Sequence, residues 1–250
     1  MTVNAIEIRN LGKRYRIVSG LPVIQQQQKS PILAALSGRL KKRDVWAIKN
    51  INIDIQAGSI VAIMGDNGSG KSTLLRLISE ISDPTEGEIF LRGSVTPMLE
   101  AGVGFHPELT GRENIYLNGT LMGLSRKALS NRFNDIVDYA GVREYLDTPI
   151  KRYSSGMWAR LAFAVATHQN RDILIVDEVL SVNDKGFREK SITRLKQLAE
   201  TGVTILIVSH DVALLNDLCS HAILLKNGRL VAQGGYQAIH ALYYDSDKYD

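Results

Sequence analysis

Apolar positions along the chain follow two periods, and the change from one to the other divides it. Val3 to Arg9 alternates apolar and polar residues, and Ile51-Asn52-Ile53-Asp54-Ile55 does so strictly, which predicts two strands with one buried face each. Asn10-Leu11-Gly12 is predicted to turn the first of them. Ile60-Val61-Ala62-Ile63-Met64, Ile173-Leu174-Ile175-Val176 and, after Thr204, Ile205-Leu206-Ile207-Val208 are unbroken apolar runs, the pattern of parallel strands covered on both faces. Glu88 to Gly93 reads as a hairpin edge behind the turn-rich Asp83-Pro84-Thr85-Glu86-Gly87, and Asn227 to Gly234 as a turn and strand pair. A helical run, Thr73 to Ile78, follows the Ile60 strand. From Thr110 the period turns helical again, with helices expected over Arg112 to Gly119, Arg126 to Tyr139 and Gly156 to His168. The sum is an α/β fold: a parallel-sheet core, an N-terminal antiparallel β region, and a helical subdomain inserted over roughly 110–168.

Residues 17–45 break the pattern and read as an insertion. Gln25-Gln26-Gln27-Gln28 is polar and repetitive, and Pro22 and Pro31 flank it. Within it Ile32, Leu33, Leu36 and Leu40 fall on one helical face, followed by Arg39, Lys41, Lys42 and Arg43. A short amphipathic helix with a basic end would suit a membrane surface or an acidic partner; a solvated helix capping the domain is the alternative.

Composition narrows the function classes. The 250 residues, 44% hydrophobic and 22% charged, suffice for one large domain or two smaller ones, and a single unit over 1–250 is the economical expectation. The formal charge of +4 comes without a basic block interleaved with aromatics, so nucleic acid is not an expected partner, whereas an anionic membrane surface is compatible. A single cysteine, Cys219, excludes an internal disulfide or a cysteine zinc cluster and suits a reducing cytoplasm. The N-terminus lacks a basic region followed by an apolar core, and no run of about 18 apolar residues occurs, so neither a secretion signal nor a bilayer span is expected.

The chemistry concentrates at strand ends. Gly65-Asp66-Asn67-Gly68-Ser69-Gly70-Lys71-Ser72, between an apolar strand and the helix opening at Thr73, matches G-x-x-x-x-G-K-[ST], the phosphate loop of P-loop NTPases. Its N–H groups and the helix N-terminus would hold a polyphosphate, Lys71 would reach the β- and γ-phosphates, and Ser72 would offer a hydroxyl to Mg²⁺. Asp177 and Glu178 end a second buried strand: the first can orient Mg²⁺ through water, the second can take a proton from water attacking the γ-phosphate. Ser209-His210 ends a third, where His210 could hydrogen-bond the γ-phosphate or be a satisfied structural histidine. His106, His168, His221 and His240 show no metal-ligand spacing. Ser154-Ser155-Gly156 opens an apolar helix, where it can cap the helix or form a second anion site. Tyr15, upstream of the loop, can stack on a nucleotide base or lie half-buried on a sheet.

Taken in order, the phosphate loop, Tyr153-Ser154-Ser155-Gly156-Met157, Ile173 to Glu178 and Ser209-His210 resemble the ATP-binding subunit of ABC transporters across nearly the whole chain. Leu99 to Ile115, together with Trp46-Ala47-Ile48-Lys49-Asn50, is similar to the branch that exports bacterial cell-surface polysaccharides, O-antigen and teichoic-acid carriers included. The resemblance implies a homodimer with two ATP molecules between its subunits, each held by one phosphate loop and by Ser154, Ser155 and Gly156 of the other copy. It implies hydrolysis by Glu178 with His210 sensing the γ-phosphate, and a dimer-crossing loop Ser181-Val182-Asn183-Asp184, with Asp184 at the nucleotide. Tyr15 would stack on adenine, with Trp46 as second choice. It also implies two copies of a membrane permease that receive a lipid-linked polysaccharide, with this chain peripheral on the cytoplasmic face of the inner membrane.

Some positions depart from the pattern. Glu100 stands where most relatives have a glutamine that touches Mg²⁺ or its water, keeping an oxygen ligand but adding charge. Ser155 and Met157 replace the usual glycine and glutamine, and Asn183 the usual small residue. Some exporters of the branch carry a second, β-rich carbohydrate-binding domain; none is expected here, so the glycan would be accepted by the permease. A soluble ABC-type ATPase of translation or DNA repair would usually show tandem ATP-binding halves or a long coiled coil, and a GTP-dependent switch would show Asn-Lys-x-Asp; neither pattern is present.

Overall fold

The structure, a computed structural model, describes residues 3–19, 41–98, 104–169, 171–177 and 184–246. Among these, β1 (Asn4–Ser19), β2 (Lys41–Gln56) and β4 (Glu86–Leu91) form an antiparallel sheet in the order β2-β1-β4. The other sheet contains β3 (Ile60–Met64), β5 (Val95–Met98), β6 (Ile173–Asp177), β7 (Thr204–Val208), β8 (His221–Lys226) and β9 (Arg229–Gly235). Its order is β5-β6-β7-β3-β8-β9, parallel except for β9. The unbroken apolar runs are its central strands. Val61, Ile63, Ile175 and Leu206 pack with Ile6, Ile8, Ile53 and helix α1 (Lys71–Ile78), while Ala62, Met64, Val176 and Ile207 face a second cluster. That second cluster draws on α4 (Ser155–Thr167), α5 (Lys185–Glu200), α6 (Val212–Leu218) and α7 (Tyr236–Ser246) through Phe163, Leu195, Leu214 and Ile239. With both faces buried, each residue of these strands gains from burial, about 1.5–3 kcal/mol for a full aliphatic side chain.

Helices α2 (Gly111–Leu121), α3 (Arg126–Ala140) and α4 lie within two residues of the predicted spans. They share a separate apolar cluster that includes Ile115, Ile136, Val137, Leu161 and Val165. Thr110 starts α2 with a reciprocal capping box to Glu113, satisfying two donors that a helix end would leave unpaired. One residue on, Asn114 is fully buried; its amide donates to the carbonyls of His106, Leu109 and Thr110, and its oxygen accepts from His106 N at 2.7 Å. Those carbonyls each keep a backbone donor, from Leu109, Ile150 and Asn114 respectively, so truncation orphans chiefly His106 N and leaves a small void. Asn114→Ala is expected to cost about 2 kcal/mol. That lowers the melting temperature by about 4–8 °C in a chain of this size, measurable by thermal denaturation.

Three expectations are corrected. Asn10-Leu11-Gly12 does not end β1: Asn10 adopts φ 50° and the register shifts between Ile8 and Leu11, so these residues form a bulge and the strand continues to Ser19. Lys41, Lys42 and Arg43 belong to β2, opposite Ser19, Val18 and Ile17, instead of ending an amphipathic helix. The rest of that expected helix, from Ile32 to Leu40, lies outside the described residues. The Glu88 strand is an edge, but its partner is β1, and β5, next in sequence, joins the other sheet.

Candidate functional site

The parallel strands deliver their carboxyl ends to one edge, and three of the predicted groups follow from that. After β3 the loop takes positive φ at Gly65, Gly68 and Gly70. At Gly70, with φ 107°, a Cβ would also lie 2.6 Å from Ile48 Cγ2 and 3.0 Å from Ala47 O, so the turn needs glycine for conformation and for the close approach of β2. Gly228, in the β8–β9 turn, donates to Ser69 O at 3.0 Å and accepts from Lys49 N at 2.8 Å, tying the loop to both sheets. Gly70 caps α1 with no side-chain hydrogen bond, so the first-turn N–H groups are not taken up by a cap. Lys71 Nζ curls back to donate to Gly65 O at 2.6 Å and Asp66 O at 2.9 Å.

Asp177 closes β6 in register with Val208, the last residue of β7, and His210 follows two residues on. The turn holding His210 is fixed from both sides: Ser209 Oγ accepts from Asp211 N at 3.0 Å, and Asp211 caps α6 by accepting from Leu214 N at 2.9 Å. Arg188 of α5 adds bonds of 3.2 and 2.9 Å to Asp211. The Leu214 N–H first, and then Arg188, hold the Asp211 carboxyl below its ordinary pKa.

A cleft of about 440 Å³ opens at this edge and gathers Asn67, Gly68, Gly70, Lys71, Ser72, Thr73, Asp177 and His210, with Ala47 and Val208 completing the wall. Neither Ala47 nor Val208 carries a local sequence signal for this place. Gly65, Asp66 and Ser69 belong to the same loop but do not line the cleft. The Asp66 carboxylate is turned to the C-terminal helix, where it accepts from Tyr243 Oη at 2.8 Å. The arrangement can bind a polyphosphate: backbone donors, an ammonium and a helix N-terminus meet in one concavity. Ser72 and Asp177 reach the same cleft, while among the described residues no three His, Cys, Asp or Glu side chains group as a metal cage. That donor set fits Mg²⁺, which keeps waters and takes further ligands from phosphate.

Other candidates lie elsewhere. Ser154 and Ser155 are exposed and Gly156 half-buried, and none of the three lines the cleft of its own chain. Ser154 caps α4 by accepting from Met157 N at 3.2 Å. Asp184 caps α5, accepting from Phe187 N at 3.1 Å, and pairs with Arg160 of α4 at 3.3 Å. Tyr15 is 40% exposed and stands opposite Val45, two residues from the cleft-wall Ala47. Trp46 stands opposite Arg14, with Arg14 and Lys49 over its ring at 5.5 and 5.1 Å. Glu178, Glu100 and Ser181 to Asn183 lie outside the described residues.

Comparison with known proteins gives one family. The ABC transporter family profile matches residues 48–181. The O-antigen export system ATP-binding protein RfbB of Klebsiella pneumoniae is 45% identical over 204 residues, 82% of this chain and 83% of that protein. The teichoic acids export ATP-binding protein TagH of Lactococcus lactis is 37% identical over 236 residues, 94% of this chain and 50% of its own length. Among solved structures, the ATP-binding cassette MJ0796, dimeric in a post-hydrolysis state with ADP and Pi, superposes with a TM-score of 0.72 at 24% identity. That match covers 92% of this chain and 98% of the cassette, a likeness of fold.

Proposed function

The chain belongs to the ABC transporter family, and on that footing we propose that it is the ATP-hydrolysing subunit of an exporter of lipid-linked cell-surface polysaccharide, O-antigen-like in class. The observation that carries the proposal is the meeting of Lys71, Ser72, Asp177 and His210 in one cleft at the ends of β3, β6 and β7. The cargo class rests on relatives whose names state O-antigen and teichoic-acid export.

In this reading the N–H groups of the loop and of α1 bind the phosphates, and Lys71 exchanges its carbonyl partners for phosphate oxygens. Ser72 and, through water, Asp177 would hold Mg²⁺, with Glu100 touching it or its water; the ion would neutralise charge on the phosphate oxygens. Glu178, following Asp177 in sequence, takes the proton of the attacking water, and His210 hydrogen-bonds the γ-phosphate. Tyr15 stacks on the base from the strand pair that also carries Ala47 of the cleft wall.

The site is completed by a second copy. Ser154, Ser155 and Gly156 stand at an exposed helix N-terminus away from their own cleft, as they would if they met the γ-phosphate bound by a partner subunit. Asp184, paired with Arg160 of that same helix, would carry the same interface. ATP binding then closes the homodimer, and hydrolysis reopens it. Two permease copies would provide the path; among the described residues no helix is long and apolar enough to cross a membrane. The chain would sit on the cytoplasmic face of the inner membrane.

Pull-down of tagged Glu178→Gln protein with ATP from detergent-solubilised native membranes tests the whole reading. Mass spectrometry is expected to find a multi-spanning membrane protein together with a lipid-linked glycan. Ribosomal or DNA-repair proteins without a membrane subunit would overturn the export reading.

A further inference from the structure

Helix α7 packs behind the phosphate loop. Tyr236 and Ile239 are buried against the core, and Tyr236, His240 and Tyr243 recur at helical spacing on the side that meets β3 and the loop. The rings form a continuous row, with centroids 5.5 Å apart for Tyr236–His240, 4.6 Å for His240–Tyr244 and 5.2 Å for Tyr243–Tyr244. A cavity of about 70 Å³ separates this row from Gly65, Lys71 and His210, the last two of which also line the nucleotide cleft. Tyr236 Oη and His240 Nε2 are buried without a hydrogen-bond partner among the described residues, and a cavity of this size can hold bridging water.

From this row Tyr243 Oη donates to Asp66 Oδ1 at 2.8 Å, joining residues 177 apart in sequence. Asp66 is the one acid in a loop whose other groups favour negative charge, and a carboxylate swung into the cleft would repel a polyphosphate. Its main-chain oxygen accepts from Lys71 Nζ at 2.9 Å and from Ser69 N at 3.1 Å. One residue therefore connects α7, through its side chain, to the loop's lysine, through its carbonyl.

We propose that Tyr243 is a positioning residue for the nucleotide: acting through Asp66, it holds the carboxylate off the cleft and keeps the front of the loop in its phosphate-ready shape. The inference rests on the loop being the ATP site. Tyr243→Phe keeps the ring packing and removes only the hydroxyl. In the full chain it is expected to raise the KM for ATP about 3- to 10-fold, the scale of a partly exposed bond to a charged acceptor, with kcat changed less than twofold. Adding Asp66→Asn removes the charge that Tyr243 restrains, and is expected to bring KM at least halfway back to the wild-type value. A merely structural tyrosine would give no such recovery.

An unchanged KM in Tyr243→Phe, or a raised KM that Asp66→Asn fails to recover, overturns the inference. Lys71→Ala, titrated with ATP alongside, separates the two levels. If Lys71→Ala loses ATP while Tyr243→Phe behaves as wild type, only the role of Tyr243 is wrong; if Lys71→Ala binds as wild type, the nucleotide site itself is misplaced.

Discussion

Lys71→Ala is expected to weaken ATP binding about 100-fold and to take turnover below detection. The ammonium would bond oxygens of two phosphates, and charge-assisted bonds of this kind contribute about 1.5–3 kcal/mol each. Lys71 is not idle before ATP arrives: its bonds to Gly65 O at 2.6 Å and Asp66 O at 2.9 Å must be exchanged, which offsets part of that gain. A net loss of about 3 kcal/mol, or two decades in affinity, follows. The substitution is clean because alanine is the strongest helix former and position 71 opens α1, so the helix has no propensity reason to fray. Calorimetric titration with ATP reads the loss, and a melting curve close to wild type assigns it to the site. Affinity within threefold of wild type would mean that the loop binds no polyphosphate.

The same contrast between local and distant causes explains which features sequence patterning reveals. β3, β6 and β7 are legible because strands buried on both faces must be apolar at every position, and groups at their ends are then placed by topology. The cleft residues Asn67, Gly68 and Gly70 to Thr73, with Asp177 and His210, follow from that rule. What decides the rest lies far away in sequence. β1 runs past Asn10 because Ile17 to Ser19 find partners in Lys41 to Arg43, and Asp44 pairs with both Arg14 and Arg16. Turn-forming residues therefore make a bulge, since cross-strand hydrogen bonds outweigh a local preference. The wall at Ala47, the lock at Gly228 and the Tyr243–Asp66 bond are likewise contacts between segments, invisible to any window of neighbours.

Glu178→Gln is expected to lower ATP turnover about 10²- to 10⁴-fold, the contribution of a positioned general base, while ATP affinity stays within a few-fold. Glutamine has the shape and the carbonyl oxygen of glutamate but cannot take the proton, so binding groups and chemistry are separated by one atom. Asp177, the adjacent acid, is already committed to the strand end in register with Val208, and in this reading to the metal. With hydrolysis blocked, ATP stays between two copies, and light scattering is expected to show an ATP-dependent dimer. Ser154→Asp added to that variant is expected to return it to monomer. Aspartate caps helices as well as serine does, so α4 keeps its N-terminus, and the new effect is a carboxylate facing a partner's γ-phosphate. Substantial turnover in Glu178→Gln would move the general base elsewhere. A dimer that survives Ser154→Asp would mean that the exposed hydroxyl row does not meet the nucleotide.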